Sequence, residues 1–267
     1  MITKKDKNEA LIGVLDKDLK LTLSKVLDKA YIFERTDKLQ YTNFLNLYQA
    51  HKAISILNHL KVDYYVYRVN EDAEKCNIFF LPSYIKKGKD IFNNYISCVK
   101  ITIKQKGEIK HKDYMGSIYN LGIKSEYIGD IFVNDNSAYV FLMSLVETYI
   151  LNSLEKVGNQ IALLEKIDIK EDKQLPISVK FLEKKVIIAS TRIDLLLSHV
   201  YKISREDVKE KIKKGEVYIN CKNIFSSSEN VKESDIISFK KYGKLKVIEF
   251  GSKTKNGNIV LKINIYD

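Results

Sequence analysis

The chain has 267 residues, 45% of them hydrophobic, with only two prolines and eleven glycines. That is enough for two or three packed domains and leaves no stretch resembling a low-complexity linker. The longest near-apolar run, Tyr139 to Val146 with Ser144 inside it, is far short of the roughly 20 residues that cross a bilayer, so no membrane partner is expected.

The opening text MITKKDKNEALIGVLDKD spreads charge through any apolar core that a secretory leader would need. A cytoplasmic location is the expectation. The three cysteines, Cys76, Cys98 and Cys221, are far apart and odd in number, which suits reduced structural thiols better than a disulfide framework or a metal site. The net charge is +11, and the segment from Lys180 onward holds 19 basic and 11 acidic residues. Most of the excess therefore sits in one third of the length. Clustered Lys and Arg release counterions from a phosphate backbone, which predicts a polyanionic partner for that third. A chain-wide lysine bias would produce the same excess.

In chain order, apolar residues recur at helical spacing from Glu9 to about Leu60, including Leu11, Leu15, Leu19, Val26, Leu27 and Tyr31. This predicts a helical N-terminal region. The alternating VDYYVYRV and the apolar NIFFLP then read as strands. Next come a strand near Ser97–Lys104, a helix His111–Leu121, strands Asp130–Val133 and Ala138–Met143, a helix Ser144–Val157 and a strand Gln160–Ile167. That order, βαββαβ, suggests a ferredoxin-like sandwich, the scaffold also used by RNA recognition motifs. The aromatics for base stacking are incomplete, since the third strand offers only Tyr139 and Phe141. Packing within the sheet is the favoured role for that pair. The charged segment around Pro176, Asp172 to Val179, reads as the connection to the last domain.

Beyond it, Thr191 stands three residues before Asp194, a capping-box spacing that opens a helix with Ile193, Leu196, Leu197 and Val200 on one face. Ser204 and Asp207 repeat the spacing. In this second helix Val208 and Ile212 share an inward face, while Arg205, Lys209 and Lys213 form a separate basic stripe. Gly215 suits a left-handed cap, Val217 and Ile219 alternate as a strand, Asn220 marks a turn, and a further turn and strand follow in VKESDIISFKK.

A helix pair followed by small strands, with Arg192 and Asp194 opening the first helix and Ser204 and Arg205 the second, resembles the S4 RNA-binding domain. Leu197, Ile212, Gly215, Val217, Ile219 and Asn220 fall at matching positions, while Val208 stands where alanine is common. The resemblance implies that Arg192 and Arg205 hold RNA phosphates, together with Lys209, Lys213 and Lys214 of the second helix. Asp194 would orient arginine. Lys202 and Ser204 at the helix junction, and Asn220 and Lys222 beyond, complete the implied RNA-binding set.

The string HKDYMGSIYNLGIKSEYIGDIFV, with LEKVGN after the following helix, resembles the middle domain of the bacterial YlmH family. TNFLNLYQA and NIFFLP resemble that family's opening domain more loosely, and Asn46 and Leu47 replace its usual acidic-proline pair. The fold class implied is α+β and multidomain. It comprises a helical N-terminal α/β region over 1–82, a ferredoxin-like, RRM-like domain over 83–172, an αL-type S4 domain over 180–250 and a C-terminal strand or extension over 251–267.

The implied function is that of a noncatalytic factor on the large ribosomal subunit, contacting 23S rRNA and peptidyl-tRNA during rescue of stalled chains and promoting C-terminal tailing. DNA is not an expected partner. A ribosome assembly factor would use the same surface, and an S4-bearing RNA-modifying enzyme is the competing class. Against an enzyme, the chain has no Gly-rich phosphate loop, no Cys-x-x-Cys and no His-Glu-x-x-His, and His51, His59, His111 and His199 lack metal-ligand spacing. No cofactor or metal is expected.

Overall fold

The computed structural model describes residues 2–70, 73–85, 89–104, 109–169, 181–254 and 256–266. The chain divides into two compact units, 1–178 and 179–267. The connection expected over Asp172–Val179 lies outside the described residues.

The first unit begins with α1 (Lys4–Ala10) and α2 (Lys17–Thr36). The helical pattern through Leu11, Leu15 and Leu19 does not form one helix. Gly13 takes a left-handed φ of +83°, and the Asp16 carboxylate accepts from the amides of Asp18 and Leu19 to start α2. Leu11 and Leu19 are buried, but Leu15 is 93% exposed on the connection. Within α2, Leu19, Leu23, Val26, Leu27 and Ala30 recur every three or four residues and bury one stripe.

The helical expectation fails again after Asp37, whose left-handed backbone ends α2. Two short strands follow, β1 (Gln40–Tyr41) and β2 (Leu45–Asn46), before α3 (Leu47–His59) starts on a reciprocal cap between Asn46 and Gln49. With β3 (Tyr65–Tyr67) and β4 (Lys75–Phe80) these strands make a small antiparallel sheet in which β4 pairs with the other three.

After the single turn α4 (Lys89–Phe92) come β5 (Ile96–Ile103), α5 (His111–Tyr119), β6 (Ile128–Asn134), β7 (Ser137–Met143), α6 (Glu147–Ser153), β8 (Lys156–Val157) and β9 (Gln160–Ile167). The sheet order is β6-β7-β5-β9-β8, antiparallel throughout. The second helix of the expected βαββαβ order is shorter than its sequence pattern. Ser144–Val146 form a 3-10 turn, and Lys156–Val157 turn back on Gln160–Ile161 through Gly158, whose φ is +58°.

Val99, Ile101, Ile103, Val140 and Leu142 bury one sheet face against Tyr114, Ile118 and Ile150 of the helices. On the other face Cys98, Phe141 and Met143 are buried too, because the N-terminal strands cover that end. Asn77 Nδ2 lies 3.5 Å from Met143 Sδ, the Phe44 amide donates to Glu126 O at 2.9 Å, and Lys25 Nζ pairs with Glu126 at 2.8 Å. A Cβ on Gly129 would stand 2.7 Å from the Phe44 ring, so any side chain there would have to push the ring aside. Phe141 is buried on this face, and Tyr139, with Lys100 Nζ over its ring, is buried as well, so neither offers an open platform for bases. Burial also pushes the Cys76 and Cys98 thiols up, to about 11 and about 12, which keeps them protonated at neutral pH.

The second unit contains β10 (Phe181–Ile188), α7 (Ile193–Tyr201), α8 (Arg205–Lys213), β11 (Val217–Ile219), β12 (Lys222–Asn223), β13 (Ile236–Phe239), β14 (Gly243–Lys253) and β15 (Ile259–Tyr266). Its sheet runs β10-β15-β14-β13-β11-β12. The inward faces of α7 (Ile193, Leu196, Leu197, Val200) and α8 (Val208, Ile212) pack on Ile237, Leu245, Val247, Leu261 and Ile263. Each such fully buried aliphatic side chain contributes about 1.5–3 kcal/mol relative to exposure.

One boundary differs from the sequence reading. The division expected after residue 250 cuts through β14, and β15 pairs with both β14 and β10. Residues 251–253 and 259–266 are therefore strands of this same sheet, not a segment beyond it. Among the described residues no helix is long and apolar enough to cross a membrane.

Candidate nucleic-acid interface

The junction of α7 and α8 brings two arginines onto one carboxylate. Arg192 precedes α7 and its side chain caps nothing. The capping box expected between Thr191 and Asp194 does not form. A distant loop takes its place: the Thr191 hydroxyl donates to Asn230 Oδ1 at 3.0 Å, the Ile193 amide to Glu229 O at 2.9 Å, and the Val231 amide to Thr191 O at 2.9 Å.

Asp194 is thereby released for another role. Its side chain is fully buried, and Arg192 grips it with a fork, Nε on Oδ1 and Nη2 on Oδ2, both at 3.0 Å. Arg205, at the start of α8, donates Nε to Oδ2 at 2.8 Å, and the Leu195 amide donates to Oδ1 at 3.0 Å. Burial alone would raise the Asp194 pKa, but the bonds from Arg192 and then Arg205 outweigh it and hold the carboxyl below its ordinary value. The arginines themselves stay open, 34% and 41% exposed. A guanidinium has five N–H donors in a fixed plane, so Arg205, with one on Asp194, keeps four for other acceptors. One buried anion thus fixes two cationic forks at successive helix starts.

The other expected contact residues divide into two groups. Lys202, in a left-handed conformation at the end of α7, is exposed, as are Lys213 and Lys222. Half-buried Lys209 pairs with Glu206 at 2.7 Å and exposed Lys214 with Glu210 at 2.5 Å. Pairs of this kind, one turn apart on a helix, are worth a few tenths of a kcal/mol, so a phosphate can displace the carboxylate at little cost.

Ser204 and Asn220 are committed to the fold. The Ser204 hydroxyl accepts from the Asp207 amide at 3.0 Å and donates to Asp207 Oδ2 at 2.6 Å. Asn220, at φ +50°, donates Nδ2 to Asp235 Oδ1 at 2.7 Å and accepts from the Ile236 amide at 2.9 Å. Sequence reading missed the loop at Glu229–Val231 that orients Arg192, because nothing local links residues nearly forty positions apart. It also missed Phe225, 66% exposed on the same loop.

Residues 92–171 match the family model of an RNA-binding domain in YlmH. The chain is also 21% identical over 239 residues, 90% of its own length and 92% of the relative's, to the ribosome-associated protein quality control protein P2 of Bacillus subtilis (strain 168). The resemblance to the YlmH family holds. A solved structure of the cell division protein ylmH from Streptococcus pneumoniae is 21% identical, with a TM-score of 0.49, over 59% of this chain and 96% of that one. In this YlmH-like chain the family match falls on the βαββαβ domain, whereas the arginine pair lies in the second unit.

Proposed function

We propose that this chain is a noncatalytic RNA-binding factor that acts at the ribosome, with its second unit serving as an S4 domain and its middle domain as a ferredoxin-like partner. The observation that carries the reading is the Asp194 bridge. A carboxylate buried between two partly exposed arginines holds both guanidiniums in fixed orientation, and planar guanidinium forks match phosphate oxygens in pairs where a lysine cannot. Lys202, Lys209, Lys213, Lys214 and Lys222 add point charges around the helix pair. The similarity to a ribosome-associated quality control protein of Bacillus subtilis supports a ribosomal setting. The finer proposal is contact with 23S rRNA and peptidyl-tRNA on the large subunit, in rescue of stalled chains, within the cytoplasm.

The test must separate lost binding from lost folding. Alanine at both arginines would strand a buried charge, whereas replacing a whole buried ionic cluster by apolar residues of similar size is often neutral for stability. The variant is therefore Arg192→Met with Asp194→Leu and Arg205→Met. For four to six phosphate contacts, log affinity falls with log salt at a slope of about −3 to −5. The triple variant should stay folded, bind structured RNA about tenfold or more weakly and lose about two units of that slope. Unchanged affinity and slope in a folded variant overturn the assignment. Cosedimentation of the parent protein with large subunits carrying peptidyl-tRNA supports the rescue role, and recovery only with immature particles overturns it in favour of assembly.

A further inference from the structure

The loop that orients Arg192 also carries the aromatic ring that the fold leaves least explained. Ile224 is buried and its amide donates to Val217 O at 3.1 Å, and Val231 is buried at the loop's other end. Between these anchors Phe225 turns outward with two thirds of its surface in solvent, and no aromatic pair among the described residues includes it. Isolated exposed apolar residues are ordinary. Phe225 differs in being held.

Its ring edge lies over Gly215, where an added Cβ would stand 3.3 Å from Phe225 Cε1 and 2.9 Å from Asn223 Nδ2. Gly215 itself sits at φ +72°, and its carbonyl accepts from Asn223 Nδ2 at 3.1 Å. Gly215 follows directly on Lys213 and Lys214, and Lys222 opens β12 three residues before Phe225. At about 1.5 Å per residue, α8 sets this end roughly 15 Å from Arg205, within reach of the same short RNA strand. A braced, exposed ring among lysines is how sequence-tolerant single-strand sites are built, because every base has a π-face.

We infer that Phe225 is a stacking platform for an unpaired RNA base, a subsite beside the arginine pair that favours looped or bulged RNA over plain duplex. The inference rests on the RNA-binding reading of the second unit. The phosphates would be taken by Arg192, Arg205 and the lysines, and the flipped or looped base by the open side of the ring.

The experiment uses the full chain and two probes: an RNA stem-loop with 2-aminopurine at an unpaired loop position, and a blunt duplex of the same stem. Phe225→Ala should weaken stem-loop binding about tenfold, leave duplex binding and the salt slope unchanged, and abolish the quenching of 2-aminopurine that stacking produces. Phe225→Trp should restore binding and quenching, and Phe225→Leu should restore neither. Equal stem-loop affinity and unchanged fluorescence in Phe225→Ala overturn the inference while the arginine reading stands. If the Arg192→Met, Asp194→Leu, Arg205→Met variant binds both probes like the parent, the RNA-binding reading fails with it.

Discussion

Two aspartates, one in each unit, meet burial in opposite ways. Asp194 neutralises its charge with two arginine side chains, and its carboxyl is held below the ordinary value. Asp130 accepts from the amides of Glu74 at 3.0 Å and Lys75 at 3.2 Å, and the charges of the same two residues act on it in opposite senses. Burial dominates there and raises its pKa despite both bonds. Backbone dipoles orient a carboxylate without cancelling its charge, whereas guanidiniums do both. Asp130 thus pins the N-terminal strand β4 to β6 as a structural clasp. Asp194 holds cations in position for an outside anion.

The contrast breaks most sharply at the arginines. Arg192→Ala combined with Arg205→Ala leaves Asp194 buried and unpaired, which should cost the second unit about 3–5 kcal/mol. The chain has no tryptophan, so hydrogen exchange of the α7 and α8 amides in urea is the measurement. Retention of parental protection would show that Asp194 escapes to water.

A smaller effect is expected from Asp194→Asn. Its cost at neutral pH should be about 2 kcal/mol, below the full loss of a buried pair because both guanidiniums can rehydrate. A lowered folded-state pKa contributes stability that is present above the ordinary value near 3.9 and lost as pH falls through the folded value. The difference between parent and variant should therefore persist down to about pH 4 and shrink only below it.

The same substitution at Asp130 should have the opposite sign and the smallest size. With a raised folded-state pKa, the stability linked to its proton is complete below about 3.9 and lost as pH rises through the folded value. Asp130→Asn should match the parent in acid and exceed it by up to about 1 kcal/mol at neutral pH. Exchange rates of the β4 and β6 amides report it. A loss at neutral pH would mean that the two amide bonds outweigh the cost of burying the charge.

Local chemistry was legible wherever one residue's backbone or side chain settles the matter. Ser204 caps α8 through Asp207, Gly215 supplies the left-handed residue after it, and the alternation of Gln160–Ile167 marks β9. Two misreadings have different causes, one a local helix break and the other a distant partner. Leu15 fits a helical repeat but falls between Gly13 and the Asp16 cap. Thr191 has the right spacing for a box with Asp194, yet Asn230 takes its hydroxyl and two arginines take the carboxylate. The packing role favoured for Tyr139 and Phe141 agrees with their burial in the sheet.

By itself, the amino-acid sequence determined the basic C-terminal third, the helix pair with Arg192 and Arg205 at its starts, and the βαββαβ order, since charge, caps and periodicity act over a few residues. Only the tertiary structure decided that Asp194 joins the two arginines, that β15 lies between β10 and β14, and that Phe225 stands out over Gly215. Those outcomes depend on which segments pack and pair most favourably in the folded chain. No local spacing encodes that competition.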